Sequence, residues 1–303
     1  MKRILITGGS GLLGKALINA LDLKDSIILA PQRKDLDLTD NLMVKGYFES
    51  NRIDLILHCA AVVGGIQANI ENPYYILSTN LKIDLNILEA SISHEIGEFI
   101  YFGSSCMYPR DSKQPMSESQ IMTGKLEPTN EAYALGKLVS AEMLRTISEK
   151  RGWSYKTIVL SNLYGSGQSE DPQESHLIGA IHNKFKQSRS SGSREIDIWG
   201  LGLARREFTH VNDVATWISG NLHRFSELPQ VLNLGYGTDF SINDYYQFFS
   251  DVYGGDFSFI HDLSKPEGMP AKLLDSSVAA MQFGWAPQIS PYDGIHKLIR
   301  ENG

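Results

Sequence analysis

The 303-residue sequence has little cysteine, no long apolar run and fewer basic than acidic residues. Its two cysteines, Cys59 and Cys106, are too few for a disulfide framework and are not spaced as metal ligands, so we expect reduced thiols and no metal site. No stretch approaches the roughly 18 apolar residues that a membrane span requires, and residues 1–3 lead into a short strand-like run without the apolar region of a signal peptide. These absences predict a cytoplasmic protein without a membrane partner.

The charge balance restricts the binding partners further. With 28 basic and 35 acidic side chains, the formal net charge is −7, which argues against a nucleic-acid-binding or anionic-membrane-binding surface. A phosphate-bearing ligand would therefore be bound by a few local Lys and Arg residues. The length exceeds that of a typical domain of about 100–200 residues and favours a large nucleotide-binding domain with a smaller appended lobe.

A glycine-rich turn follows the first apolar run. The sequence TGGSGLLG lies between a β-type run and a segment with apolar residues at helical spacing, which predicts strand, turn and helix. Gly8 would permit the tight turn, Gly11 would let backbone amides approach a pyrophosphate together with the following Leu12 and Leu13, and Gly14 would let the helix pack close to the sheet. A plain surface loop is the alternative, but this placement favours a dinucleotide site.

The end of the second predicted strand, residues 26–29, bears on the choice of cofactor. An NAD site usually has an acidic residue there, whereas this chain has Arg33 and Lys34. Basic side chains suit a 2′-phosphate and favour NADP(H), although a solvated basic turn is equally compatible with the residues. Asp37 and Leu38 are expected to border the adenine.

Alternation of strands and helices continues along the chain. Residues 54–58 read as a third strand, after which the small residues Ala60 and Ala61 would allow close approach of a cofactor; His58 is interpreted as a core residue. Residues 80–93 read as a helix with the apolar stripe Leu81, Leu85, Leu88 and Ile92. This alternation of strands and helices predicts an α/β fold with a doubly wound parallel Rossmann sheet. The ligand site is expected at the carboxyl ends of the strands.

The stretch between Ser104 and Lys137 contains the candidate chemistry. Ser104 closes an apolar strand-like run, and Tyr133 and Lys137 lie four residues apart in a helical segment, so both are expected on one face. A phenol titrates near pH ~10 and transfers protons at neutral pH only beside a stabilising cation, which Lys137 would provide. An isolated Tyr-x-x-x-Lys pattern also arises by chance, with a half-buried aromatic and a solvated lysine.

The regular alternation of predicted strands and helices ends after residue 165. We predict a dinucleotide-binding domain over residues 1–165, completed by a returning strand near 230–235, and a mainly substrate-binding lobe over 166–303. Residues 187–193 are rich in Ser and Gly and are expected to be mobile.

Many collinear segments resemble one family. They are HCAAVVGGIQAN, GSSCMYP, EPTNEAYALGK, SNLYG, SHLI, WGLG, RREFTHVNDVA and SKPEGMPAKLLD. Together with the glycine turn, the similarity runs from the first strand to about Gln288. The chain thus resembles the GDP-L-fucose synthase family, the GDP-4-keto-6-deoxy-mannose 3,5-epimerase/4-reductases of the extended short-chain dehydrogenase/reductase superfamily.

The resemblance implies roles for individual residues. Ser104, Tyr133 and Lys137 would form a reductive triad, and Cys106 and His176 would remove and return protons beside the ketone during epimerisation. Tyr133, Lys137 and His176 would also contact the cofactor. A thiol beside an imidazolium is expected to have a lowered pKa.

The resemblance also implies the ligand contacts and the assembly. Lys184, Trp199, Arg206 and Lys272 fall where the family contacts a GDP-sugar, since Arg grips a diphosphate and Trp stacks on a sugar or base. Each is alternatively an ordinary packing or solvated residue. The superfamily often pairs through a four-helix interface, so a homodimer is expected.

Two departures leave alternatives open. Ser10 stands where the family commonly has a basic residue, which weakens the expected NADP preference, and the loop 165–175 differs beside the expected sugar. These departures are compatible with a reductase-only enzyme acting on a GDP-4-keto-heptose, with epimerisation done by a separate enzyme. A 4,6-dehydratase is disfavoured because Ser105-Cys106 replaces its Asp-Glu pair. A non-catalytic NADP-binding protein is more remote, because it needs no Ser, Tyr and Lys set.

Overall fold

The computed structural model describes residues 1–21, 26–167, 177–265 and 268–302. Its strands are β1 (Lys2–Thr7), β2 (Ser26–Leu29), β3 (Leu55–His58), β4 (Glu98–Ser104), β5 (Ser154–Leu160), β6 (Asn162–Tyr164), β7 (Glu195–Trp199), β8 (Arg205–Arg206), β9 (Phe208–His210), β10 (Val231–Leu234), β11 (Phe240–Ser241), β12 (Ser258–Asp262) and β13 (Ala271–Lys272). Its α-helices are α1 (Leu12–Ala20), α2 (Asn41–Ser50), α3 (Ile66–Glu71), α4 (Pro73–Ser93), α5 (Glu131–Arg151), α6 (Leu177–Ser191), α7 (Val211–Asn221), α8 (Ile242–Tyr253), α9 (Ser277–Phe283) and α10 (Pro291–Asn302).

The central sheet has six parallel strands in the order β10-β5-β4-β3-β1-β2. Its side chains alternate between two layers of helices: Ile4 and Ile6 belong to the core formed with α1 and α7, while Leu5 belongs to the core formed with α2 and α4. This arrangement confirms the predicted α/β class with a doubly wound parallel sheet. Three smaller sheets, β11-β8-β13, β12-β7 and β6-β9, lie in the C-terminal half.

The last strand of the sheet comes from far along the chain. β10 pairs in parallel with β5, from Val231 opposite Thr157 to Leu234 opposite Leu160. A strand was predicted here from residues 230–235. The division of the chain into two domains at residue 165 stays a prediction.

Helix α4 differs from its predicted form. It begins at Pro73 rather than Asn80, and the short helix α3 before it was not predicted. The face packed against the sheet contains Ile83, Asp84 and Ile87, whereas Leu85 of the predicted stripe is 42% exposed. Leu88 of the same stripe is 3% exposed and belongs to this core, so the predicted stripe is divided between the core and the surface.

Helix α6 extends into the stretch rich in Ser and Gly. Residues 187–191 are helical, and the expected mobility of 187–193 stays a prediction. Two serine side chains donate hydrogen bonds to backbone carbonyls at this end of the helix. Ser190 Oγ donates to the Lys186 carbonyl at 2.8 Å, and Ser188 Oγ donates to the Ser193 carbonyl. The buried Phe185, stacked with Tyr253 at 5.2 Å between ring centres, anchors the preceding turn.

None of the helices in the described ranges combines the length and apolar character needed to cross a membrane.

The glycine turn between β1 and α1 leaves no space for a side chain at Gly8 or at Gly14. Gly8 has φ +65°, and a Cβ there would lie 2.8 Å from the Ala60 amide nitrogen. A Cβ on Gly14 would lie 2.2 Å from the Gly8 carbonyl oxygen, so helix α1 approaches the turn as closely as its backbone allows. The Gly11 amide donates to the same carbonyl at 2.9 Å. The turn, the end of β3 and the start of α1 are thus fixed against one another.

We predict that Gly14→Ala lowers the free energy of unfolding by roughly 1–3 kcal/mol and weakens binding of a reduced dinucleotide at least about tenfold, because the turn must move. Gly46→Ala in α2 is the matched control. A Cβ at Gly46 has nothing within 4 Å, so the free energy of unfolding should rise by about 0.5–1 kcal/mol. Urea denaturation and dinucleotide fluorescence titration measure both effects. Equal behaviour of the two variants would contradict the packing argument.

Candidate active site

Ser104 ends β4, a central strand between β3 and β5. The preceding residues Phe99–Phe102 are buried, as expected for a strand covered on both faces. At the carboxyl end of the strand the Ser104 hydroxyl accepts a hydrogen bond from the Cys106 amide at 3.4 Å, which caps a 3-10 turn over Ser105–Met107. The hydroxyl is therefore oriented by the turn that bears Cys106.

Lys137 links this strand to helix α5. Its ammonium is buried, donates to the Phe102 carbonyl at 2.9 Å, and lies 4.4 Å from the centre of the Tyr101 ring. The same nitrogen is 5.9 Å from the ring centre of Tyr133, one turn earlier on α5. Because Phe102 lies two residues before Ser104, the structure brings the three predicted triad residues to one end of β4. Their catalytic roles stay predictions.

Burial controls the protonation of both α5 side chains. It raises the pKa of Tyr133, and the charges of Cys106 and Asp84 raise it further. Burial lowers the pKa of Lys137, while the negative charge of Asp84 acts in the opposite direction. Tyr133 therefore keeps its proton at neutral pH, as its predicted role of proton donor requires.

A buried polar network that was not predicted lies beneath Lys137. Asp84 accepts a hydrogen bond from the Tyr101 hydroxyl at 2.9 Å and contacts His58 Nε2 at 2.9 Å, and the Ser140 hydroxyl also donates to it. His58 Nδ1 in turn lies 2.7 Å from the Thr7 hydroxyl, beside the glycine turn. The sequence signal was a carboxylate between apolar residues on the inner face of a helix.

Cys106 differs from its predicted state. Its side chain is only 4% exposed, and burial raises the pKa of the thiol although Lys272, Ser104 and Lys137 act against this. The predicted lowering of this pKa is therefore wrong, because desolvation outweighs the nearby cations. His176, the expected partner, lies outside the described residues, as does most of the loop 165–175.

Two of the predicted substrate residues lie on neighbouring strands. Arg206 in β8 is the register partner of Lys272 in β13, and the charge of Lys272 acts on Cys106. Glu207 fixes this pair: its buried carboxylate accepts hydrogen bonds from the amides of Gly237 at 2.7 Å and Leu274 at 3.0 Å. Burial raises the pKa of Glu207 to about 7 despite these amides. The role of Glu207 was not predicted, although it lies in the motif RREF.

The other two predicted substrate residues lie together elsewhere. Lys184 in α6 forms an ion pair with Asp197 at 2.7 Å and lies 5.9 Å from the ring centre of Trp199 at the end of β7. Trp199 is 39% exposed, and the ammonium of Lys265 is 5.3 Å from its ring centre. This ring therefore presents a partly open aromatic surface beside two positive charges, which suits an anionic ligand that stacks.

Some of the predicted cofactor residues have exposed side chains, whereas others have buried side chains. Arg33 is 76% exposed and pairs with Asp37 at 3.4 Å; hydrogen bonds from Thr39 lower the pKa of Asp37. The side chains of Leu13 and Leu38 are buried in two different cores, with Leu12 packed against that of Leu13, so only their backbone groups remain for a ligand.

The end of β3 and the first turn of α1 fit a dinucleotide. The Ala60 amide is held by the Thr7 hydroxyl at 3.2 Å, and Ala61 is half-buried. The turn between β1 and α1 has glycines where a Cβ would collide, and Gly11 at the N-terminus of α1 makes no side-chain cap hydrogen bond, an end of a helix that suits an anion. The residues present therefore fit a bound pyrophosphate.

Comparison with known proteins agrees with this geometry. Residues 4–235 match the model of the NAD dependent epimerase/dehydratase family. The chain is 39% identical to the GDP-L-fucose synthase of Azorhizobium caulinodans over 99% of this chain and 96% of that protein, and 38% identical to the GDP-L-colitose synthase of Yersinia pseudotuberculosis over 98% and 97%. A solved GDP-mannoheptose C4 reductase from Campylobacter jejuni with NADP bound superposes with a TM-score of 0.87 at 25% identity, covering 99% of this chain and 97% of that one. The chain therefore belongs to the NAD dependent epimerase/dehydratase family, and its predicted resemblance to the GDP-L-fucose synthases is confirmed.

Proposed function

We propose that the protein is an NADPH-dependent oxidoreductase that reduces the C4 ketone of a GDP-4-keto-6-deoxy sugar. The observation that carries the proposal is the buried ammonium of Lys137, held by the Phe102 carbonyl and placed 5.9 Å from the Tyr133 ring centre. A cation beside a protonated phenol favours transfer of the phenol's proton to an alkoxide, because the cation stabilises the phenolate that is left.

Ser104, Tyr133 and Lys137 have different roles in the proposed ketone reduction. When bound, NADPH supplies the hydride. Ser104, oriented by the Cys106 amide, donates a hydrogen bond to the ketone oxygen, and Tyr133 gives its proton to the alkoxide that forms there. Lys137 stabilises the phenolate that remains, which removes part of the cost that burial imposes on that anion.

The cofactor and the nucleotide are assigned from the relatives and from placement. The NADP-bound C4 reductase of the same fold supports NADP(H), and Arg33, an exposed cation near the end of β2 like its neighbour Lys34, would contact a 2′-phosphate. The names GDP-L-fucose synthase and GDP-L-colitose synthase support a GDP-sugar. Arg206 and Lys272 would bind its diphosphate.

The Lys184–Trp199 pair would contact the remainder of the GDP-sugar. Lys184 would exchange Asp197 for the ligand, and the Trp199 ring would stack on it. A cytoplasmic location remains a prediction from the sequence.

Epimerisation at C3 and C5 is assigned to Cys106 with His176. A ketone at C4 acidifies the protons on both neighbouring carbons, and the cations Lys272 and Lys137 favour a Cys106 thiolate. A second candidate is a reductase without epimerase activity, acting on a GDP-4-keto-heptose. The observation that favours it is the burial of Cys106, which raises the pKa of its thiol, together with the full-length match to a GDP-mannoheptose C4 reductase.

We also propose that the chain forms a homodimer through α4 and α5. A groove between these helices is lined almost wholly by apolar atoms, including exposed Leu85 on α4 and exposed Leu135 and Val139 on α5. Met122, 66% exposed, borders the same groove. A second copy placed about a two-fold axis would cover this surface with its own α4 and α5.

Replacing Tyr133 with Phe tests the reductase assignment. The change removes the proton donor and little else, so turnover with NADPH and GDP-4-keto-6-deoxy-mannose should fall about 10²–10⁴-fold. The dissociation constant of NADPH should stay within about threefold. Tyr74→Phe, at an 83% exposed position, is the matched control and should behave as wild type. Full activity of Tyr133→Phe in the absorbance assay would disprove the role.

Reaction in deuterated water tests epimerisation. A 3,5-epimerase incorporates deuterium at C3 or C5 of the product, whereas a reductase alone leaves both carbons unlabelled. Cys106→Ser should abolish this exchange and still reduce a substrate that has already been epimerised, as followed by NMR and NADPH absorbance. Unlabelled product from the wild-type enzyme would favour the reductase-only candidate.

Replacing Leu135 and Val139 together with Asp tests the dimer. Four like charges would face one another across the proposed two-fold interface, so the mass measured by light scattering should fall from two chains to one. Leu42→Asp, at a 79% exposed position on α2, is the control and should remain dimeric. A wild-type protein with the mass of a single chain would contradict the proposal.

A further inference from the structure

Asp84 occupies an unusual place for a carboxylate. It is 3% exposed on the inner face of α4, and its two oxygens are engaged from three other elements. Oδ1 contacts His58 of β3 at 2.9 Å, while Oδ2 accepts from Tyr101 of β4 at 2.9 Å and from Ser140 of α5. The carboxylate is thus held in one position at the junction of the sheet with two helices.

Tyr101 connects this carboxylate to the predicted reductive site. Its hydroxyl donates to Asp84, and this bond fixes the plane of its ring. The ring presents its face to the Lys137 ammonium at 4.4 Å, a distance at which the aromatic quadrupole attracts a cation. The ammonium therefore has three supports, which are the Phe102 carbonyl, the Tyr101 face and the nearby Asp84 charge.

The charge of Asp84 needs an explanation beyond packing. A neutral amide side chain of the same shape provides one acceptor and one donor, and His58 accommodates either by a change of tautomer because its other nitrogen faces the Thr7 hydroxyl. Burying a carboxylate costs several kcal/mol more than burying an amide. A buried carboxylate in this place stabilises nearby positive charge, and Lys137 lies across the Tyr101 ring from it.

We propose that Asp84 is a positioning residue of the reductive site: through Tyr101 it fixes the place of the Lys137 ammonium, and its buried negative charge keeps that ammonium protonated beside Tyr133. The inference rests on the proposed function and deepens it. It also links the site to the glycine turn, since Asp84 contacts His58, His58 contacts Thr7, and the Thr7 hydroxyl accepts from the Ala60 amide.

The titratable groups around Lys137 act on it with different signs. Asp84 from α4, Cys106 from the 3-10 turn and Cys59 after β3 favour its charged form when they are ionised, whereas burial disfavours it. The remaining titratable neighbours are His58 from β3, Tyr101 from β4 and Tyr133 from α5 itself.

Removing the negative charge of Asp84 should change the pKa values of Lys137 and Tyr133 in a known direction. Asp84 raises the pKa of Lys137 and also that of Tyr133, so its neutralisation lowers both. Reduction needs the Tyr133 phenol and the Lys137 ammonium to be protonated at the same time. Without the charge of Asp84, the group that loses its proton first loses it at a lower pH, so activity should fall at a lower pH.

The test is the pH dependence of kcat/KM for NADPH-dependent reduction of GDP-4-keto-6-deoxy-mannose. In Asp84→Asn the basic limb should move to lower pH by on the order of one unit. Ser140→Ala is the matched control, because it removes a hydrogen bond to the same carboxylate and keeps the charge. Its basic limb should stay at the wild-type pH. An unmoved limb in Asp84→Asn, or an equal shift in Ser140→Ala, would overturn the proposal.

A second measurement does not depend on turnover. In protein labelled with ¹³C at lysine Cε, the resonance assigned to Lys137 through Lys137→Arg should titrate at lower pH in Asp84→Asn than in wild type. If wild type fails to oxidise NADPH with the keto sugar, the proposed function fails while this titration still decides the role of Asp84. Asp84→Ser, which also removes the charge, carries the same expectation if Asp84→Asn does not fold.

Discussion

The hydrogen bond from the Lys137 ammonium to the Phe102 carbonyl is the constraint on which the proposed site depends. It joins helix α5 to the strand that ends in Ser104, and it places a positive charge where water is largely excluded. A buried cation is unstable alone, so the surrounding groups must compensate for the lost hydration. The aromatic face of Tyr101 and the carboxylate of Asp84 do so from the neighbouring strand and helix.

Two of the residues predicted to bind substrate are held by short strands rather than by the central sheet. Short strands hold Arg206 and Lys272 in register, and the Glu207 carboxylate joins them to the segment after β10 through backbone amides. Gly235 has no side chain because a Cβ there would lie 2.4 Å from that carboxylate. Arg206 and Lys272 thus lie on one small sheet, whereas Lys184 on α6 lies beside Trp199 of another, β12-β7.

Local patterns in the sequence predicted most of the sheet and the glycine turn, because strand periodicity and glycine geometry are properties of short segments. The predicted stripe of α4 includes the buried Leu88 and the exposed Leu85, because an exposed apolar face has the same spacing as a buried one. Asp84 was missed since a single carboxylate signals nothing until Tyr101 and His58 are brought to it from other strands. The protonation of Cys106 likewise depends on burial, which is a tertiary property.

The position of β10 at the edge of the sheet has a consequence for biosynthesis. The outer edge of β5 has its partner only when residues 231–234 have left the ribosome, about 70 residues after β5 itself. During that interval the nascent sheet presents open backbone donors and acceptors to other chains. Rapid translation, or a chaperone acting over this interval, would therefore favour the soluble yield of the enzyme.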